Sequence, residues 1–353
     1  MVPDRWENGS TYQWLGVPEA VAPQLVPWRS GLLLLSGRDA LRLVLDLGVR
    51  ERGWRRLWVP EYFCQDVVAA LMHPGLLLRP YPDHPLRAEP DLPDARPGDA
   101  ILLVNYFGLR GPLAFSRREG VEMVEDHTHD PYGPWPISSA ADFCVISLRK
   151  TLPVSDGGAV WSPRGHDLPA ALPLDAMRAR SAATKLAAMI LKALYLEGHP
   201  VKKDAYRVLE MAAEQDLGIP GISAMSEVSA ALVDAWPAER WRRERLLNWE
   251  RLRQLLADVP GVRILAPLAE GAVPFACVVA VDSAQRSEHV RRRLIEHRVY
   301  PAVHWPLERT VLQVSDEARE LSRRLFTIHC DGRYGCEDLA RVAELLASAT
   351  RVA

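Results

Sequence analysis

Residues 121–160 read VEMVEDHTHDPYGPWPISSAADFCVISLRKTLPVSDGGAV, and two short apolar runs in this stretch stop at reactive chemistry. The first ends on Asp126, and the second, DFCVISL, ends at Ser147-Leu148 and leads into Lys150. Continuous apolar runs of four to eight residues, bounded by polar or Gly/Pro punctuation, read as strands buried on both faces. An amine at the end of such a strand is costly, because burial disfavours the ammonium form. The cost becomes useful where the amine must lose its proton to attack a carbonyl.

The same pattern extends outward in both directions. RRLWVP, LLLRPYP and AILLVNYFG are further apolar runs, and SGRDALRLVLDLG (36–48) and QDVVAALMH carry helical spacing between some of them. Strands alternating with helices predict an α/β unit with a mostly parallel sheet covered on both faces. SAATKLAAMILKALYLEG reads as an amphipathic helix with Lys185 and Lys192 on a solvated face. AERWRRERLLNWERLRQLLADV reads as a helix whose arginines form a solvated face with local Glu–Arg pairs, and as the connector to a second unit. From Gly261 the pattern changes to strand, strand, helix, strand and helix: GVRILAP, FACVVAVDS, SEHVRRRLIEH, VYPAVHWP and CEDLARVAELLASA. The expected division is therefore a large α/β domain with an N-terminal arm over 1–240 and a small α+β domain over 241–353.

The composition agrees with a globular chain. Of 353 residues 48% are hydrophobic and 25% charged, and the formal net charge of −2 offers no field for nucleic acid or an anionic membrane. Only five of the 43 basic residues are lysines (Lys150, Lys185, Lys192, Lys202, Lys203), so this chain otherwise writes its cations as arginine and Lys150 stands out. Five scattered cysteines without a CxxC pair predict reduced thiols and no metal site. The opening MVPDRWENGSTYQWLG does not have the form of a signal peptide, and no apolar stretch has the length of a membrane span, so the expectation is a cytoplasmic enzyme acting on small molecules.

In open parallel sheets ligands bind beyond the carboxyl ends of the strands. The residues found there are Glu61, Tyr62 and Phe63 after LWVP, Asn105 to Gly108 after ILLV, Asp126 to His129, and Ser147 to Lys150. They supply an aromatic face, an amide, a carboxylate with an imidazole, and a hydroxyl with an amine. A pyridoxal phosphate site needs this combination: a lysine to carry the cofactor, a carboxylate for the pyridine nitrogen, and hydroxyls with helix N-terminal amides for the phosphate. SGRDAL offers such a terminus and Ser147 such a hydroxyl.

SGRDAL, VPEYF, VNYFG, VEDHTHD, SLRKTLPVSDGGAV and VHWP, in this order, resemble the fold-type I pyridoxal phosphate enzymes, and among them the DegT-type sugar aminotransferases. The resemblance runs from about residue 30 to the C-terminus and is strongest between Ser36 and Gly158. It implies a mostly parallel sheet of the seven-stranded type flanked by helices, with a smaller C-terminal α+β domain. It implies Lys150 as the Schiff-base lysine and Asp126 as partner of the pyridine nitrogen. By the same resemblance Gly37, Arg38 and Asp39 present backbone N–H groups to the phosphate, Tyr62 or Phe63 covers the ring, and Asn105, His129 and Ser147 contact the cofactor. The activity it implies is transfer of an amino group from glutamate to a keto-sugar nucleotide in polysaccharide or secondary-metabolite biosynthesis, by a C₂ homodimer.

The chain departs from the family pattern in places. His129 stands where the family has glutamine. Ile222-Ser223-Ala224 before Met225-Ser226 replaces an Asn-x-Arg whose asparagine reaches the neighbouring subunit's phosphate, which opens the alternatives of a non-sugar substrate or another reaction on the same cofactor. A non-catalytic binding protein is the remaining alternative, and the retention of Lys150 and Asp126 speaks against it. Each site residue also has a structural reading: Asp126 as a helix cap, Asn105 as a turn cap, Ser147 as a strand end, and His127 and His129 as loop histidines. Arg149 reads equally as a substrate contact or as the partner of an acid such as Asp156, and His304 as a structural histidine.

Overall fold

A computed structural model describes residues 5–9, 11–19, 25–113 and 118–351. Of the N-terminal arm, residues 1–4, 10 and 20–24 lie outside the described residues. The first elements are β1 (Leu32–Leu34), α1 (Gly37–Glu51), β2 (Arg56–Pro60), α2 (Gln65–Ala70), β3 (Leu77–Tyr81), β4 (Asp99–Val104), β5 (Glu122–Asp126), α3 (Pro134–Ser138), β6 (Phe143–Ser147) and β7 (Gly158–Trp161). The strands form one seven-stranded sheet in the order β1-β7-β6-β5-β4-β2-β3. From β3 through β6 all neighbours are parallel, whereas β7 runs antiparallel to both β6 and β1. Each of the five apolar runs expected in this region is a strand of that sheet.

Alternation along the central strands explains why those runs are apolar throughout. On β4, Leu102 and Val104 join Leu41, Val44 and Phe143 on one face, while Ile101 and Leu103 join Trp28, Trp135 and Trp241 on the other. Both faces are covered, so neither can be polar. α1 begins where Ser36 predicts it: the Ser36 hydroxyl oxygen accepts the Asp39 N–H at 3.2 Å, an N-cap worth about 1 kcal/mol. Gly157 and Gly158 permit a close approach, since a Cβ on Gly158 would lie 2.4 Å from the Ser36 carbonyl carbon and 2.6 Å from the Gly37 nitrogen. The end of the sheet and the start of α1 are thereby pressed together.

A helical section follows: α4 (Ala176–Leu196), α5 (Lys203–Gly218), α6 (Glu227–Ala235) and α7 (Ala238–Leu255). α4 and α5 form a hairpin, and its lysines are not solvated as the sequence pattern suggests. Lys185 is buried between Glu210 and Glu214, each 3.0 Å away, and Lys192 is buried against Glu7 at 2.9 Å and the Thr11 carbonyl at 2.8 Å. The acids belong to α5 and to the N-terminal arm, so helical periodicity alone could not reveal them. The arginine run on α7 is also partly inward: Arg240 makes the expected local pair with Glu244, but Arg242 binds Asp130 and Arg245 donates to the Thr151 carbonyl.

α7 belongs to two cores. Trp241 packs with the large sheet, whereas Trp249, Leu252 and Leu256 pack with the C-terminal elements. Those elements are β8 (Val262–Ile264), β9 (Cys277–Val281), α8 (Ala284–Glu296), α9 (Asp316–Arg324), β10 (Leu325–Ile328) and α10 (Cys336–Arg351). They build a three-stranded antiparallel sheet, β10-β9-β8, backed by helices. The third strand is LFTI and not VYPAV. Pro301 has no N–H to give a ladder, and the segment keeps only isolated bridges, Val299 with Asn8 and Ala302 with Thr327.

Candidate active site

The carboxyl ends of β5 and β6, the start of α1 and the turn before α2 surround a cavity of about 200 Å³. Alternation along β5 sorts its acids: Asp126 lines the cavity, while Glu125 turns to the far side and binds His127 at 2.9 Å. The chain then keeps Thr128 and His129 at the cavity. The Thr128 N–H donates to the Asp126 carboxylate at 2.9 Å, and the Thr128 hydroxyl oxygen accepts the Ser147 N–H at 3.0 Å, tying the ends of β5 and β6 together. Burial holds the Asp126 pKa above the usual carboxylate value, and the Thr128 hydrogen bonds oppose that shift.

Lys150 opens onto this cavity three residues past the end of β6. Its amine can be reached from the cavity, but protein is packed around it, and this desolvation lowers its pKa, followed by the neighbouring charge of Arg149. Cys64 and Glu214 oppose the shift, so the amine sits between competing charges. Arg149 pairs with Glu214 through two bonds of 2.7 and 3.3 Å, and not with Asp156. Asp156 instead accepts the Ser226 N–H at 2.7 Å and the Ser226 hydroxyl at 2.6 Å, fixing the start of α6.

His129 is buried and neutral. Desolvation, with a smaller contribution from Lys150, pushes its pKa down to about 3. The Phe107 N–H donates to His129 Nδ1 at 3.0 Å, so Nδ1 must be the bare nitrogen and Nε2 carries the proton. Phe107 has φ of 55°, an uncommon conformation for an aromatic residue. It is held there by the His129 bond, by the Phe275 N–H at 2.7 Å to its carbonyl, and by stacking on His129 at 5.6 Å. Trp305 stacks on His129 at 5.7 Å and also lines the cavity.

The expected residues divide clearly. Gly37, Arg38, Phe63, Asp126, His129, Ser147 and Lys150 line the cavity. Tyr62 does not: its ring is fully buried against Tyr106 and Trp305, and its hydroxyl donates to the His304 carbonyl at 2.8 Å, so of the two candidate rings Phe63 is the one at the cavity. Asn105 also lies outside, its side-chain oxygen accepting the Arg110 N–H at 3.1 Å to hold the turn after β4. Asp39 offers no free amide, since its N–H is taken by Ser36, and its buried carboxylate binds Arg178 at 2.5 and 2.6 Å and the Ser223 N–H at 3.2 Å. Cavity residues for which no site role was expected from sequence include Ser36, Cys64, Asp66, Trp305 and Glu214, and His304, expected to be structural, lines the cavity too. Ser36 was legible as the start of SGRDAL, whereas Glu214 lies on a helix with no local motif.

The fold is the architecture of the fold-type I pyridoxal phosphate aminotransferases, as comparison with solved structures shows. The chain resembles PseC of Helicobacter pylori, an aminotransferase involved in the biosynthesis of pseudoaminic acid, over 99% of its length and 100% of that chain, with a TM-score of 0.65 and 12% identity. It also resembles DesI, solved with its TDP-sugar product, at a TM-score of 0.60 and 19% identity, covering 91% of this chain and 81% of that one. A sugar aminotransferase from Streptococcus pneumoniae, Spr1654 in its PMP form, matches at 0.60 and 15% identity over 91% of this chain and 88% of that one. At such identities the likeness establishes the fold. No protein-family model and no curated protein sequence matches the chain.

Proposed function

We propose that this protein is a pyridoxal phosphate-dependent aminotransferase, moving an amino group from glutamate to a keto-sugar nucleotide. The observation that carries the reading is the joint placement of Lys150, Asp126 and the α1 N-terminus around one cavity. The residues suit the group. The first two amides of α1, Gly37 and Arg38, have no partner within a helix, and Ser147 packs so close that a Cβ on Gly37 would lie 2.9 Å from its Cβ. That corner suits a phosphate, while Asp126 suits a protonated pyridine nitrogen and the Nε2–H of His129 can donate to an oxygen.

When bound, pyridoxal phosphate supplies an electron sink for charge that develops on the substrate carbon. Lys150 would hold the cofactor, and its amine, whose lowered pKa leaves it free to accept a proton, would serve as the proton carrier at the substrate carbon. Asp126 would hold the pyridine nitrogen protonated, Phe63 lines the cavity beside it, and the Arg149–Glu214 pair fixes the charge next to the amine.

The sugar acceptor is supported by the fold shared with DesI and PseC. A non-sugar acceptor is favoured by one feature: Ser223, in the segment that replaces Asn-x-Arg, is buried, with its amide on Asp39 and its hydroxyl accepting the Asp175 N–H at 3.0 Å. A C₂ homodimer is the working unit that the resemblance implies. All five cysteines are free, and no helix among the described residues is long and apolar enough to cross a membrane. Glutamate added to the protein loaded with pyridoxal phosphate should bleach its visible band, and a panel of nucleotide keto-sugars should restore it. A band that persists in glutamate and in every other amino acid would exclude transamination.

A further inference from the structure

Arg38 occupies an electrostatically awkward place. It is the second residue of α1, where the helix dipole and unbonded amides already concentrate positive charge, and a cation there is unfavourable. The acid of the same turn does not neutralise it. Asp39 is consumed by Arg178, Ser36 and the Ser223 amide, and Arg42 lies 3.7 Å from it as well. Among the described residues the Arg38 guanidinium has no hydrogen bond and no ion pair, though it lines the cavity with Lys150. Against its other side lies the end of α5, where a Cβ on Gly218 would stand 3.5 Å from Arg38 Nη1. The α4–α5 hairpin thus backs the guanidinium at the cavity.

A guanidinium offers five donors and accepts nothing. Beside it lie the two unbonded amides of α1 and the Ser147 hydroxyl, which has no partner among the described residues. This donor set is matched by a dianion with three acceptor oxygens. We propose that the Arg38 side chain is the chain's own counter-charge for the cofactor phosphate, binding it directly from the same subunit; this rests on the pyridoxal phosphate reading above. The positive charge at the head of α1 is then neutralised only when a phosphate is bound.

The test compares pyridoxal phosphate with pyridoxal, which lacks the phosphate, by titrating apo-protein and following the visible band. Arg38→Ala should weaken pyridoxal phosphate about 10- to 100-fold, the range of charge-assisted hydrogen bonds, and leave pyridoxal unchanged. Arg38→Lys should fall between, and added salt should weaken the wild type more than Arg38→Ala. If Arg38→Ala keeps the wild-type preference for the phosphorylated cofactor, the proposal is overturned while the cofactor reading stands. If Arg38→Ala melts early, Arg38→Gln gives the same comparison with the helix propensity kept. A wild type that binds neither compound would overturn both.

Discussion

Gly158→Ala perturbs the cofactor corner without removing any polar group. The added Cβ would lie 2.4 Å from the Ser36 carbonyl carbon, 2.5 Å from its oxygen and 2.6 Å from the Gly37 nitrogen. Comfortable contact needs about 3.5–4.0 Å, and the obstructing atoms are backbone, so the head of α1 must retreat by about 1 Å. Overpacking of this kind costs about 1–3 kcal/mol. At roughly 2–4 °C per kcal/mol for domains of 150–250 residues, the melting temperature should fall by about 2–12 °C. The same retreat moves the Gly37 and Arg38 amides away from Ser147, and a misplacement of about 1 Å costs on the order of 100-fold where positioning matters. Thermal melting and cofactor titration of the one variant read both effects. Wild-type values in both would refute the claim that β7 presses on the phosphate corner.

The remaining expectations concern charge. His129 and His329 are pushed down to about 3 by burial, from an ordinary 6.5, so between these values the unfolded chain binds protons that the folded chain refuses. Stability is full above 6.5 and falls by up to about 1.4 kcal/mol per pH unit for each histidine as acid is added; melting from pH 7 to 4.5 should be less steep in His329→Gln, and an unchanged slope would count against this. Lys192→Met breaks a buried pair with Glu7 and should cost about 3 kcal/mol in urea unfolding, partly recovered in Glu7→Gln/Lys192→Met, whereas exposed Lys202→Met should stay within about 0.5 kcal/mol. Glu214→Gln removes a charge that favours the Lys150 ammonium. Lys150 in the apo-protein should then be acylated at lower pH, read by peptide mass spectrometry, and a shift upward would contradict the electrostatics.

The large sheet was legible because its parallel strands are short runs dominated by apolar residues, most fully so in the central β4, which is buried on both faces. β1 and β7 were not, being three and four residues long and placed only by antiparallel pairing with each other and with β6. The C-terminal sheet was read with the wrong third strand, since VYPAV looks more strand-like than LFTI until Pro301 is counted as a missing donor. Asp126 and Ser147 could be found because they end strands, and Lys150 because it lies three residues beyond one. Tyr62 and Phe63 could not be separated, because the turn before α2 decides which ring meets the core. The burial of Lys185 and Lys192 depends on Glu7, Glu210 and Glu214, acids distant in sequence that no helical period brings together.

The central claim is that Lys150 holds pyridoxal phosphate in this cavity. Incubation with the cofactor, reduction with borohydride and peptide mass spectrometry test it directly. The account predicts a pyridoxyl adduct on Lys150 that is absent from Lys150→Ala. An adduct confined to another lysine, or none at saturating cofactor, would contradict it.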